Sequence, residues 1–188
     1  MSDDDFAALV ARLDPLRKQR APSEFGAIPA SIGFLESTLA GDLPDEDRHL
    51  VYTLLVSECS KARNDALHVD MLRRRVRDFP ADPMSHAGLA FRLALIEPRS
   101  RAEALRIAKK SMTLAKNQDR LVRYCATNLA RIAMMLDDYQ ALRTALLQLV
   151  EDAGRERAED TGYEFDFVDR IDPSRCGAEL LARYRALS

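Results

Sequence analysis

The chain has 188 residues, of which 47% are hydrophobic and 31% charged, and its formal net charge is −2. A chain of this length can enclose one domain with its own core, and its near-neutral charge gives no overall attraction to nucleic acid or to an anionic membrane. Only 7 glycines and 8 prolines are present, and this scarcity of turn residues favours helices over many short strands.

The cysteines and the first residues predict a cytoplasmic protein. Cys59, Cys125 and Cys176 are scattered and odd in number, and no CxxC pair occurs. This pattern argues against a disulfide framework or a zinc site and for a reducing compartment. The acidic start, MSDDDF, lacks the basic region and apolar run of a targeting peptide, and no apolar stretch approaches the ~20 residues of a membrane span. We therefore expect no membrane association, no metal and no cofactor.

Four helices are predicted in the first half of the chain. Ser2 can cap the first one, with Asp5 three residues later completing a capping box, and Pro15 should kink or restart it. Residues 20–26 are predicted to be a connection, and a second helix covers residues 28–40, with Gly41 as its stop. The third and fourth helices are predicted to begin at Leu43-Pro44-Asp45 and at Asn64-Asp65, and the fourth ends before Pro80.

Four more helices are predicted in the second half of the chain, and a polar stretch and an aromatic-acidic stretch follow them. The helices cover about 84–96, 101–116, 119–136 and 139–152, and a tight polar break lies at residues 137–138. Residues 154–162 are polar and are predicted to be a linker or an extended final helix turn. Aromatic and acidic residues then alternate over residues 163–169, a period of two that favours an extended segment. A last helix is predicted after Pro173-Ser174, with apolar positions at Leu180, Leu181, Tyr184 and Leu187.

Two of the predicted helix pairs look alike. The matches are Leu89-Ala90 with Leu129-Ala130, 40 residues later, and Glu103-Ala104 with Ala141-Leu142, 38 residues later. Together with EALRIAKKSMTL (103–114) and DDYQALRTALLQL (137–149), these units resemble the tetratricopeptide repeat family. A weaker unit spans residues 50–80. The units here are longer than the family period of about 34 residues, and the aromatic residue that the family prefers early in the first helix is missing.

This resemblance implies an all-α protein of antiparallel helical hairpins, arranged as a right-handed superhelix or a compact array. Residues 1–153 would form the helical domain, and residues 154–188 an extension and capping helix packed on it. In the family, the first helix of each hairpin lines a concave groove. By alignment, that surface carries Met84, Ala87, Phe91, Ala94 and Leu95 in one unit, and Tyr124, Thr127, Arg131, Met134 and Met135 in the next.

Such a groove is largely apolar and suits an apolar peptide or helix, although the same residues could instead form core against neighbouring helices. It lacks the Lys/Asn/Arg set with which some family members hold a C-terminal carboxylate. The aromatic residues Tyr163, Phe165 and Phe167 could dock between the helices. They would then either seal the core as a simple extension or occupy the partner groove until displaced.

No catalytic constellation is visible. The chain has no GxSxG, HExxH, GxxxxGK[ST] or GxGxxG motif, and His49, His68 and His86 lack ligand spacing and are predicted to be partly exposed helix residues. We expect a non-catalytic module that binds a protein or peptide partner.

The alternative is a nucleic-acid-associated regulator that uses the basic run Arg73-Arg74-Arg75 with Arg77. It draws some support from the 17 basic and 9 acidic residues between positions 61 and 143. A solvated helix face remains the simpler interpretation of that run.

Overall fold

In the computed structural model, which describes residues 2–19, 29–96, 98–153 and 168–186, the regular structure is helical and no strand occurs within those ranges. The prediction of an all-α protein is confirmed. Two short 3-10 helices cover Pro98–Ser100 and Val168–Arg170. The α-helices are α1 (Asp3–Lys18), α2 (Ala30–Leu39), α3 (Asp45–Lys61), α4 (Asp65–Asp78), α5 (Pro83–Ile96), α6 (Arg101–Gln118), α7 (Val122–Met135), α8 (Tyr139–Asp152), α9 (Pro173–Cys176) and α10 (Ala178–Arg185).

The chain divides into two compact units, Met1–Arg75 and Val76–Ser188, so the predicted boundary after Ala153 lies inside the second unit. In the first unit, α2 packs against both α1 and α3. Its core is formed by fully buried apolar side chains that include Leu13, Ile32, Leu35, Tyr52 and Leu55.

Local signals fix the ends of the helices in the first unit. The predicted capping box is present, since the Ser2 hydroxyl accepts from the Asp5 amide and the Asp5 carboxylate accepts from the Ser2 amide. At the start of α4, the Asn64 side chain accepts from the Leu67 amide at 3.1 Å. Pro15 does not restart α1, which continues to Lys18. The proline removes one N–H donor from the helical ladder, and α1 ends three residues after it.

Two helix pairs build the second unit. Helix α5 packs on α6 and α7 packs on α8, and further contacts of α7 with α5 and α6 join the pairs. Short connections make the members of each pair antiparallel. Fully buried alanines, such as Ala90, Ala104, Ala130 and Ala145, allow the helices to approach closely while leucines fill the remaining space. Helix α10 packs against α8 and α9.

Three predicted boundaries are corrected by backbone conformation. Helix α7 begins at Val122, three residues later than predicted, because Asp119 (φ 49°) and Leu121 (φ 56°) adopt the left-handed conformation. The predicted last helix is divided into α9 and α10 at Gly177, whose φ of 96° suits glycine. Residues 168–170 form a 3-10 turn where an extended segment was predicted. Helix α8 has the predicted bounds.

Buried polar contacts tie the start of α5 to the rest of the second unit. The Asp82 carboxylate accepts from the Ser85 amide at 2.9 Å and so caps α5. The Ser111 hydroxyl of α6 donates to the Pro83 carbonyl oxygen at 2.8 Å and lies 3.1 Å from the Cys125 sulfur of α7. A single buried hydroxyl thereby connects three helices.

Candidate partner-binding groove

A groove with a volume of about 440 Å³ lies along α5 and α7 in the second unit. Among the described residues, four apolar side chains and two arginines line it: Phe91, Leu95, Arg131, Met134, Met135 and Arg170. The Leu95 side chain is 47% exposed. A single exposed leucine is ordinary on a protein surface. Leu95, however, belongs to a concave apolar surface, and ligand-binding sites are typically of this kind.

Helical spacing brings these residues together. Phe91 and Leu95 are four residues apart and lie on one face of α5, while Met134 and Met135 follow Arg131 by three and four residues on α7. Because α5 and α7 pack against each other, the two stripes form adjacent walls. Methionine side chains are flexible and polarizable, so this part of the groove can adapt to irregular surfaces.

The arginines place positive charge at the apolar walls. The Arg131 guanidinium carbon lies 5.9 Å from the centroid of the Phe91 ring, within the range of a cation–π contact. Arg170 comes from the C-terminal part of the chain, where the neighbouring Ile171 is buried. Buried Ile171 fixes the local chain, and this positions Arg170 at the groove.

A second cavity of about 230 Å³ adjoins the groove and shares Met134 and Arg170 with it. Ile171 and Tyr139 contribute to its lining. The Arg175 guanidinium carbon lies 3.8 Å from the centroid of the Tyr139 ring, which joins α9 to the start of α8. The C-terminal residues therefore form one end of the concave surface.

The structure brings together five of the residues predicted for the groove: Phe91, Leu95, Arg131, Met134 and Met135. Their role in partner binding stays a prediction. The structure buries Ala87, Ala94 and Thr127 in the core, so for these three the alternative of core packing against neighbouring helices holds and the groove position does not. Met84 and Tyr124 are half-buried on the same two helices and lie outside the groove lining.

Arg170 is a described lining residue that the sequence does not predict. It is 39 positions from Arg131 in the sequence (170 minus 131), and no repeat alignment includes it. The only local signal is Ile171, an apolar residue within an otherwise charged stretch. The predicted docking residues Tyr163, Phe165 and Phe167 lie outside the described part of the chain.

The basic run on α4 is smaller than its sequence suggests. Arg75 is only 6% exposed, and its Nη2 atom lies 3.2 Å from Nδ1 of His49. Arg73 and Arg77 are exposed on one face, four residues apart, but the exposed Asp70 and Asp78 lie on the same helix. The surface of α4 is thus of mixed charge.

Burial also corrects the interpretation of two histidines. His68 and His86 are buried, where partly exposed positions were predicted. The Nδ1 atom of His86 donates to the Asp82 carbonyl oxygen at 3.0 Å. Burial lowers the pKa of His86 and outweighs this hydrogen bond. Within the described ranges, no group of three or more His, Cys, Asp or Glu residues is arranged to hold a metal ion.

The cysteine side chains are buried in the cores, as predicted for Cys59 and Cys125. Burial raises the pKa of the Cys59 thiol to about 11 and also raises that of Cys176. Both thiols therefore stay protonated at neutral pH and are poor nucleophiles.

None of the helices in the described ranges combines the length and the apolar character needed to cross a membrane. No family model, curated protein or solved structure matches this chain.

Proposed function

We propose that this chain is a non-catalytic protein-interaction module with a tetratricopeptide-like arrangement of hairpins, which binds a segment of a partner protein in the groove of α5 and α7. The observation that carries the proposal is the groove itself: Phe91, Leu95, Met134 and Met135 offer apolar surface in a concavity, with Arg131 and Arg170 as cations on its lining. Partner peptides that insert apolar anchors suit such a surface.

The repeat-like part of the proposal is supported by the packing of the second unit. The pairs α5/α6 and α7/α8 lie next to each other, and the first helices of the two pairs, α5 and α7, contact directly. The groove lies along these two first helices, the position that the family resemblance predicts for a binding surface. A right-handed superhelix is the arrangement that stacked pairs of this kind would generate.

The expected energetics favour apolar anchoring with charge-based selection. Complete burial of a leucine side chain contributes about 1.5–3 kcal/mol, so covering the exposed half of Leu95 should contribute roughly 1 kcal/mol. The methionines and Phe91 would add further buried area, while Arg131 and Arg170 would favour acidic partners and accelerate encounter.

Two matched leucine variants test this function. Leu95 lies in the groove, whereas Leu147 is an exposed leucine (37%) of α8 outside the groove lining. We expect immobilised wild-type chain and Leu147→Glu to retain a common set of proteins from native cell extract, quantified by mass spectrometry, and Leu95→Glu to lose that set. Far-UV circular dichroism should show equal helicity in all three proteins. Equal retention by both variants would refute the groove as the partner site.

A second candidate function, nucleic-acid association, is favoured by the exposure of Arg73 and Arg77 on one face of α4. Binding of a labelled duplex or single strand would then weaken steeply between 50 and 200 mM salt, and the double variant Arg73→Gln, Arg77→Gln would lower the salt slope by about 2. Capture that depends on Leu95 and tolerates salt would instead support the apolar groove.

A further inference from the structure

We propose that residues 163–167 of this same chain occupy the groove of α5 and α7 when no partner is bound, so that the chain carries its own competitor for the site. This inference rests on the proposed function, because it assigns a regulator to the same groove. It follows from where the described chain resumes, from the reach of the segment, and from the match of its chemistry to the groove lining.

The position of the segment in the chain places its end at the groove. Helix α8 ends at Asp152, the chain is described as far as Ala153, and the description resumes at Val168, two residues before the groove residue Arg170. An extended chain spans at most about 3.3–3.6 Å per residue. Phe167 is therefore within about 11 Å of Arg170, and Phe165 within about 18 Å. Neighbouring packed helices have axes about 8–10 Å apart, so these upper limits allow the segment to reach across the groove.

The side chains of the segment complement the groove. Residues 163–167 read YEFDF, with three aromatic side chains alternating with two carboxylates. In an extended conformation, aromatic side chains would project to one side and acids to the other. The apolar wall that Phe91, Leu95 and the methionines form suits the aromatic face, and Arg131 and Arg170 provide the opposite charge for the acids.

The whole segment between α8 and the 3-10 helix at Val168–Arg170 is negatively charged, like residues 163–167 within it. Residues 154–167 contain five acidic and two basic residues, a net charge of −3. The groove lining contains two arginines and no acidic residue among those that the structure describes there. Electrostatic complementarity of this kind favours one docking partner over others and fixes its register.

Intramolecular attachment would make this occupant a strong competitor. A short covalent connection to the site gives an effective concentration in the millimolar range. If the groove were free in one molecule of ten, the apparent affinity for any partner would fall about tenfold. Partners would have to carry a similar combination of aromatic or apolar anchors and carboxylates in order to displace the segment.

Photocrosslinking of the full chain tests the contact directly. The substitution is Phe165→p-benzoylphenylalanine, whose excited ketone inserts into nearby C–H bonds and reacts readily with methionine. We expect ultraviolet light to join this residue to Met134, Met135 or a neighbouring α5 residue of the same molecule, as identified by mass spectrometry of the digested monomer band. Absence of a crosslink, crosslinks only to other surfaces, or crosslinks only between two copies would overturn the proposal.

Dye binding separates this inference from the proposed function. The probe is bis-ANS, an anionic aromatic dye that fluoresces on exposed apolar surface. The double variant Phe165→Ser, Phe167→Ser should bind it with about tenfold higher apparent affinity than the wild type. The control Arg155→Lys, Arg157→Lys alters the same segment but keeps both its charge and its aromatic residues, and should match the wild type. If both double variants bind bis-ANS with equal affinity, residues 163–167 do not occupy the groove and the proposal is refuted.

A third substitution distinguishes the two possible failures. Adding Leu95→Glu to the double variant should abolish the gain in dye binding, whereas adding Leu147→Glu should leave it. If Leu95→Glu has no effect in this background and also retains the captured proteins, the groove is not a binding surface and the proposed function fails. If Leu95→Glu abolishes capture but the phenylalanine variant gains no dye affinity, the groove stands and the competitor alone is refuted.

Discussion

Asp138 is expected to determine the stability of the turn between α7 and α8. Its carboxylate accepts a hydrogen bond from the Ala141 amide at 2.9 Å and so caps α8. Its second partner is Lys109 of α6, whose ammonium nitrogen lies 3.5 Å away. Because Lys109 is largely exposed, the ion pair is the weaker of the two contributions.

The substitutions Asp138→Ala and Asp138→Asn distinguish the contribution of the capping hydrogen bond from that of the ion pair with Lys109. Loss of a side-chain cap costs about 1 kcal/mol, and loss of an exposed pair about 0.2–1 kcal/mol. Asp138→Ala should therefore lower the free energy of unfolding of the second unit by about 1.5 kcal/mol in total. Asp138→Asn keeps an acceptor at the cap and should lose only the smaller part, about 0.5 kcal/mol.

Hydrogen exchange gives a local measurement of this difference. Amides of α8 that exchange through opening of the turn should exchange roughly tenfold faster in Asp138→Ala, since 1.36 kcal/mol corresponds to a factor of ten. They should exchange only about twofold faster in Asp138→Asn. If the asparagine variant loses as much protection as the alanine variant, the hydrogen bond to Ala141 is not the source of the stability.

The pH dependence supplies a second check. The Ala141 amide lowers the pKa of Asp138 below its ordinary value of 3.8, with a smaller contribution from Lys109, despite partial burial of the carboxylate. The charged group therefore stabilises the folded chain above about pH 4, and this contribution is lost as the pH falls through the folded-state pKa. The deficit of Asp138→Ala should be constant from pH 5 to 7 and shrink below pH 4. A deficit that stays unchanged down to pH 2 would contradict this reasoning.

Three further outcomes are expected from urea unfolding followed by circular dichroism. Burial alone would raise the pKa of Glu58, but hydrogen bonds from Lys61 (2.9 Å) and Arg17 (3.0 Å) outweigh it and lower the pKa. Arg17→Gln should therefore lower the free energy of unfolding by about 1–2 kcal/mol at pH 7, less than the loss of a fully buried pair. This loss should become smaller below pH 4.5, because the carboxylate is then protonated. His86 should make the free energy of unfolding fall as the pH drops below 6.5, because burial lowers its pKa and the unfolded chain then binds more protons. The decrease should be at most about 1.4 kcal/mol per pH unit, and it should be absent from His86→Gln. Leu93→Ala, at a fully buried site, should cost about 2–5 kcal/mol, and a cost under 1 kcal/mol would contradict the packing of α5.

The features of the fold that the sequence predicted correctly depend on interactions between residues close together in the chain. Ser2 and Asp5 form the capping box, Asn64 caps α4, and α8 runs between its predicted bounds, because each of these features depends on residues within one helical turn. The errors lie where a rare backbone conformation decides the boundary. Aspartate adopts positive φ more readily than most residues, but leucine rarely does, so the sequence does not indicate the left-handed conformation of Leu121. Tertiary packing makes that conformation favourable.

The groove shows a similar division. The alignment with the repeat family assigned Phe91 and Leu95, and Arg131 and Met135, to one surface, and helical geometry makes residues four positions apart neighbours. The same alignment could not tell that Ala87 and Thr127 face the core. That outcome depends on the rotation of α5 and α7 about their axes, which the packing of whole helices sets.

The sequence by itself therefore determined the helical class, most of the helix ends and the apolar stripes, all of which arise from interactions between residues close in the chain. Only the tertiary structure decided that Arg170 completes the groove, that Arg75 leaves the basic surface of α4, and that His86 is buried. These outcomes arise from contacts between residues far apart in the chain, which local sequence does not encode. For His86, burial also lowers the pKa of the side chain.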